Sequence, residues 1–403
     1  MTTPASLYRN AIDLNRYSNS VARRIVVAYN DIILDSVRQL QTIDELTAPV
    51  KAARLRAILA QTKESLATWA GDATGIMTEE LQGLAVLQSE FVEDQLAKAL
   101  PRGQRSIVNT VEVQPGFAQS VVMTDPTQIN VVTLSDDLFA AVQGAPQTYS
   151  LTAAQGATIT LPNGKVIEKA FRGIAEDQAE RFAQTVRQGL LTGEPTADIA
   201  KRLRGSLEFG QPAKSVKQIA LAGGELTKTA DHQVMTLVRT SVNQVSNAAS
   251  DQVYKANQDV TQKYRYVATL DSRTSAICRA LDGREFEYGK GPMPPQHFNC
   301  RSTTVAVIDY EALGFDPPPV GERAAKGGMV PIDQSYGQWL YDEDSARGRE
   351  RQAEVLGSKA PYFRSLVRKH GAKDAIAKLV RDDGSELTLA DLRRRYGRVN
   401  NVA

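Results

Sequence analysis

A mainly helical α+β fold is what this 403-residue chain predicts, and three observations carry the prediction. Apolar residues recur at threes and fours through most of the first hundred positions, which is the period of amphipathic helices. From Ser106 to Lys169 that period gives way to short β-branched runs. Between Tyr264 and Ile308 the chain alternates like strands around irregular loops, and this stretch holds both cysteines, Cys278 and Cys300, with His297, one of three histidines. Long N-terminal helices, a small β module, then a helical region with a small antiparallel sheet follow from this pattern. The segment boundaries read 1–103, 104–170, 171–310 and 311–403, in keeping with the two to four domains that the length suggests.

Ser6 to Leu40 sets Leu7, Ala11, Leu14, Val21, Ile25, Tyr29, Ile32 and Val37 on one stripe. At 1.5 Å per residue this is a rod of about 50 Å, and its stripe needs partners. Thr47 and Pro49 start a helix well. Val50 to Trp69 supplies one partner, and Met77 to Leu100 supplies another before Pro101 and Gly103 stop it. The result is an antiparallel bundle or an extended arm. An arm would be a docking surface on a larger assembly; stripes alone favour an ordinary bundle core.

The β module reads as strands at Val108–Val113, Ser120–Met123, Ile129–Thr133 and Ala157–Leu161. Asn163-Gly164 marks a hairpin and Asp136–Gln143 a brief helix. Ile174–Leu191 and Thr196–Leu203 then form a plain helical corner. Only Lys201, Arg202 and Arg204 decorate its second helix, too few for a DNA-reading helix-turn-helix. Glu225–Asn257 is the next long helix, with His232 near its start as a surface or cap residue.

In the central stretch, Tyr264 to Leu270 alternates as a strand and Asp271 ends it. Ser272–Leu281 reads as two or three helical turns, Asp282-Gly283 as a turn, and Glu285–Tyr288 as a second strand. Gly289–Pro295 is an irregular loop, and Ser302–Ile308 is a third strand. Asp271, Cys278, His297 and Cys300 thus gather near the loops of a small antiparallel sheet. Three readings stand open for them. Zinc is one cofactor candidate, because thiolate, imidazole and carboxylate are its ligands and His297-x-x-Cys300 is a workable pair. A Cys278–Cys300 disulfide is another, in an oxidising setting or a mature particle. The third is a pair of buried cysteines serving as small hydrophobes, with His297 and Asp271 as satisfied hydrogen-bond hubs.

The ordered set Asp271-Ser272-Arg273-Thr274, Cys278, Leu281-Asp282-Gly283 and Pro294-Pro295-Gln296-His297-Phe298-Asn299-Cys300-Arg301 resembles the phage head morphogenesis family, the Mu F-like minor head proteins. Arg239-Thr240 is similar to the Arg-Thr pair that precedes the family core. Tyr336, Trp339-Leu340, Leu356-Gly357 and Leu387–Leu392 are similar to its tail, so the likeness spans roughly Ile174 to Leu392. It implies a non-enzymatic structural protein of the virion, bound to the portal in a few copies and made in the host cytoplasm. It also implies help in head assembly, with the major capsid or scaffold protein and packaged DNA as further partners, and passage with DNA on ejection.

Composition narrows the alternatives. The net charge is +2, which excludes a histone-like coat for nucleic acid without excluding local basic faces. Met1 to Ser6 begins no secretory signal, and no stretch approaches the ~20 apolar residues of a membrane span, so no membrane partner is expected. Asp316-Pro317-Pro318-Pro319 and Gly327-Gly328 read as a linker, stiff then loose. From Pro361 ten basic residues face five acidic ones, and Arg364, Arg368, Lys369, Arg393, Arg394 and Arg395 are candidates for DNA contact by counterion release. A solvated helix face is the plainer account of such a mixture. No G-x-S-x-G, P-loop, H-E-x-x-H or dinucleotide fingerprint is present. The competing functional classes are a metal- or cysteine-dependent hydrolase or toxin-like module built on the quartet, and a DNA-binding protein using the basic tail. Arg239 is expected to pair with Asp271 and orient its loop.

Overall fold

The computed structural model describes residues 3–120, 131–133, 148–151, 167–205, 225–317, 321–341, 346–381 and 384–397. It is mainly helical, with small sheets, as the sequence predicts. Helix α1 runs Thr3–Gln41 and α2 runs Ala48–Ala99. The two helices expected at Val50–Trp69 and Met77–Leu100 are therefore one rod, of about 78 Å. Gly71 and Gly75 do not break it: each weakens an exposed helix by about 1 kcal/mol, while Leu66, Trp69, Ala70, Ala73, Met77 and Leu81 are buried on either side. Tertiary packing outweighs local preference.

Helices α3 (Ile167–Leu191), α4 (Thr196–Arg204) and α5 (Glu225–Ala256) complete the N-terminal bundle. α1 packs on α2, α4 and α5, and α2 also packs on α3 and α5. One apolar core runs through all of them and on to the strand residues Val267 and Val305. Polar locks fix the register. Trp69 Nε1 donates to the Ile25 carbonyl at 2.9 Å, and Tyr29 donates to Gln178 at 3.1 Å. Gln88 receives Asn10 at 2.7 Å and donates to Ser250 at 3.0 Å, joining α1, α2 and α5.

Strands β1 (Thr110–Val113), β2 (Val131–Thr133) and β3 (Thr148–Leu151) form a sheet in the order β1-β3-β2, with β1 and β3 parallel. Asn109 anchors it to the end of α5. Its amide N–H donates to Asn257 Oδ1 at 2.7 Å, and Asn257 Nδ2 returns to the Asn109 carbonyl at 3.1 Å. Ser120, expected in a strand, closes a helical turn at Phe117–Ser120. The rest of that strand, the strand at Ala157–Leu161, the Asn163-Gly164 hairpin and the helix at Asp136–Gln143 lie outside the described residues.

Downstream of α5, β4 (Thr261–Val267), β5 (Glu285–Glu287) and β6 (Thr303–Ile308) build an antiparallel sheet in the order β5-β4-β6. The helix between β4 and β5, α6, is shorter than expected and spans Ala276–Leu281. The supposed loose linker is a hairpin instead, β7 (Glu322–Ala325) and β8 (Gly328–Pro331). Gly327 and Gly328 have φ of 107° and 143°, so the doublet supplies the turn between two strands. A second core joins Leu270 to α7 (Tyr336–Leu340), α8 (Ala346–Leu356), α9 (Ala360–His370), α10 (Ala372–Ala377) and α11 (Leu389–Tyr396). Among the described residues no helix is long and apolar enough to cross a membrane.

Candidate functional site: a thiol and imidazole cluster

Ser275 caps α6 and starts it at Ala276, which places Cys278 on its buried face. The loop that precedes β6 delivers His297 and Cys300 to the same spot. That loop is held from outside by α5. The Asn299 amide N–H donates to Thr240 Oγ1 at 3.0 Å, and Asn299 Nδ2 donates to Thr236 at 3.1 Å. Asn299 has φ 57°, a left-handed conformation that asparagine tolerates better than most residues. Asn243 of α5 adds a hydrogen bond to the Ser302 carbonyl at 2.9 Å.

Cys278 Sγ lies 3.7 Å from Cys300 Sγ and 3.4 Å from His297 Nε2. One ligand atom from each residue falls within 4.8 Å of the others, and both cysteines are free and buried. A sulfur pair at that distance is not the disulfide considered above, whose S–S bond is about 2.05 Å. The Phe298 carbonyl accepts from His297 Nδ1 at 2.8 Å, which leaves Nε2 as the acceptor facing Ser275 Oγ at 2.7 Å and the Cys278 sulfur. Fixing one ring nitrogen on a carbonyl is how metal-ligating histidines are commonly oriented. The hydrogen bond donated by Cys278 holds the Cys300 thiol well below its ordinary value despite burial, with help from His297. That donated bond, together with burial, pushes Cys278 up. His297 is raised, chiefly by its hydrogen bond with Cys300.

Asp271, the expected fourth member, belongs to a different group. It pairs with Arg301, whose two terminal nitrogens sit 2.7 Å from its two oxygens. Its Oδ1 also accepts from the Arg273 amide N–H at 3.0 Å and from Thr274 Oγ1 at 3.3 Å. Burial opposes the charge, yet Arg301 and Arg273 keep the Asp271 carboxyl below its usual value. The expected Arg239–Asp271 pair does not form: Arg239 donates instead to Asn19 Oδ1 on α1, at 2.9 and 3.1 Å. Arg301 reaches Asp271 because it adjoins Cys300 and emerges from the same loop.

Asp282 has a role that the sequence did not disclose. Asp282-Gly283 does make the turn, with Gly283 at φ 74°. Its carboxylate is also fully buried, accepting from the amide N–H groups of Ala268 and Tyr336 at 2.6 Å each and from Arg323 at 3.0 Å. It therefore ties the strand end, the hairpin and α7 together. An Asp-Gly doublet signals a turn equally well with or without such partners, so only the buried arginine in the hairpin could have hinted at it.

The basic tail residues are spread over two helices. Arg368 and Lys369 are exposed on α9, and Arg393, Arg394 and Arg395 are exposed on α11. Arg364 is partly buried and donates to Gln352 at 3.2 Å, while Arg394 pairs with Asp391 at 2.9 Å.

An α5 helix clasping a three-stranded sheet with a Cys-His-Cys loop is the part of the chain that has known counterparts. Residues 180–305 match the family described as phage Mu protein F like, in line with the phage head morphogenesis family that the motifs resemble. A similar protein, described as an uncharacterized protein of Haemophilus influenzae, is 32% identical over 123 residues, 27% of this chain and 28% of that relative. The chain thus spans little more than a quarter of that protein's length. No solved structure matches.

Proposed function

We propose that this chain is a minor head protein that sits at the portal of a phage capsid and assists head assembly. The observation that carries the proposal is the family match over residues 180–305, which covers α5 and the whole Cys-His-Cys loop. In this reading α1 and α2 form the docking surface and the clasped sheet is the frame that holds them. The basic faces of α9 and α11 lie toward DNA.

Cys278, His297 and Cys300 hold zinc in that frame. Zn–S of about 2.3 Å and Zn–N of about 2.0 Å make a tetrahedron with edges of roughly 3.8 Å between sulfurs and 3.5 Å between sulfur and nitrogen. The observed 3.7 and 3.4 Å agree with those edges. Bound zinc would supply a cross-link between α6 and the loop before β6. A hydrolase would also need a base beside the metal, and Asp271 is engaged with Arg301, which supports a structural role. Metal analysis of the full chain purified without chelator tests this: about one zinc per chain is expected, falling to near none in Cys300→Ser. Metal-free wild-type protein of unchanged stability contradicts the brace.

A further inference from the structure

A cavity of about 720 Å³ opens between α1, α5, the loop after β4, the loop before β6 and the β7–β8 hairpin. Its volume is that of a small-molecule site. One wall is basic. Arg239, Arg273 and Arg301 line it with a single carboxylate, Asp271. Arg301 takes that carboxylate in a two-point pair, and Arg273 lies 3.5 Å from it with its side chain 80% exposed. Among the described residues, Arg239 donates hydrogen bonds to the neutral amide oxygen of Asn19. Three guanidinium groups against one carboxylate leave a surplus of positive charge facing the space. Arg239 registers it: burial lowers its affinity for its proton, and Arg273 and Arg301 add to that effect against Asp231.

A second wall is polar. Asn243 and Asn299 both line the cavity, and the Oδ1 atom of each is buried without a hydrogen-bond partner among the described residues. The remaining lining includes the apolar side chains of Leu14, Val242 and Ala324.

We propose that this cavity binds a nucleoside phosphate, with the phosphate on Arg239, Arg273 and Arg301 and the nucleoside against the side chains of Asn243, Asn299, Leu14 and Val242. Planar guanidinium groups bind phosphate in two-point fashion, which a carboxylate-poor wall favours. The apolar lining of Leu14, Val242 and Ala324 receives the base. The inference is independent of the head-protein reading, because it stands on the cavity alone.

The test is calorimetric titration and thermal shift on the full chain with deoxyadenosine monophosphate, deoxyadenosine, inorganic phosphate and a polyglutamate peptide. The monophosphate is expected to bind and raise Tm, with the nucleoside and the free phosphate each at least about tenfold weaker. Arg273→Ala removes an exposed guanidinium. It is expected to melt like wild type when free and to bind the monophosphate about tenfold more weakly. No binding at millimolar monophosphate overturns the proposal, as does equal binding by Arg273→Ala. Free phosphate binding as tightly as the nucleotide, or binding of the acidic peptide alone, overturns it too.

Discussion

Asp282 and Arg323 have side chains 0% and 1% exposed, which makes their pair the most deeply buried ion pair among the described residues. Removing one charge from such a pair strands the other in an apolar interior. Asp282→Asn is therefore expected to lower stability by about 3–5 kcal/mol, read by urea unfolding, because Arg323 is left uncompensated. A loss below about 1 kcal/mol would show that the pair is dispensable. The quartet and its neighbours also show what a sequence can disclose at this scale. His297-x-x-Cys300 and Cys278 are legible as partners, because both flank short loops of one small sheet. The partner of Asp271 is not: Arg239 and Arg301 carry the same group, and only the path of the loop after Cys300 decides between them.

Element by element, the helical periods, the three strands of the central sheet and the Asp282-Gly283 turn are readable from residue pattern, whereas helix continuity and the hairpin at Gly327-Gly328 are not. Gly71 and Gly75 resemble a break and lie inside α2. Gly327-Gly328 resembles a flexible spacer and turns a hairpin that delivers Arg323 to the core. In each case long-range packing outweighs a local preference of about 1 kcal/mol. α2 meets β1 through Glu93, which accepts from the Val111 amide N–H at 2.5 Å. Burial raises the Glu93 carboxyl to about 7. The native state then holds a proton that the unfolded chain releases near pH 4.3, so stability falls as pH rises from about 4.3 through 7. Glu93→Gln is expected to flatten that slope and to stabilise the protein by about 1 kcal/mol at pH 8, discounted for partial exposure, with little effect at pH 4.5. Melting curves across that range check it. Gly337 of α7 offers a second probe. A Cβ there would lie 2.0 Å from the Ala372 carbonyl oxygen, a clash with backbone that cannot swing aside. Gly337→Ala is expected to cost at least about 2 kcal/mol in chemical unfolding, whereas Gly75→Ala, with open space around it, is expected to stabilise α2 slightly.

Across the whole molecule, the N-terminal helices are not a detachable arm. Their stripe is buried in the same core that reaches β4 and β6, so the docking surface proposed for them is the outward face of α1 and α2. The second core, from Leu270 through α11, is tied to a small third cluster of Tyr266, Ala268, Cys278 and Cys300 through Asp282, which accepts from the amides of Ala268 and Tyr336, and α6 reaches it through Arg279, 6.0 Å from the Tyr336 ring. Anything that loosens the Cys-His-Cys loop is felt by both cores, since the loop lies between α5 and α6. The account's central claim is that these clasped rods grip a portal. Cross-linking with mass spectrometry on intact particles tests it most directly, using the exposed lysines of α2, Lys63 and Lys98. The account predicts cross-links from these lysines to the portal protein; particles that lack the chain, or cross-links from α2 to the major capsid protein alone, would contradict it.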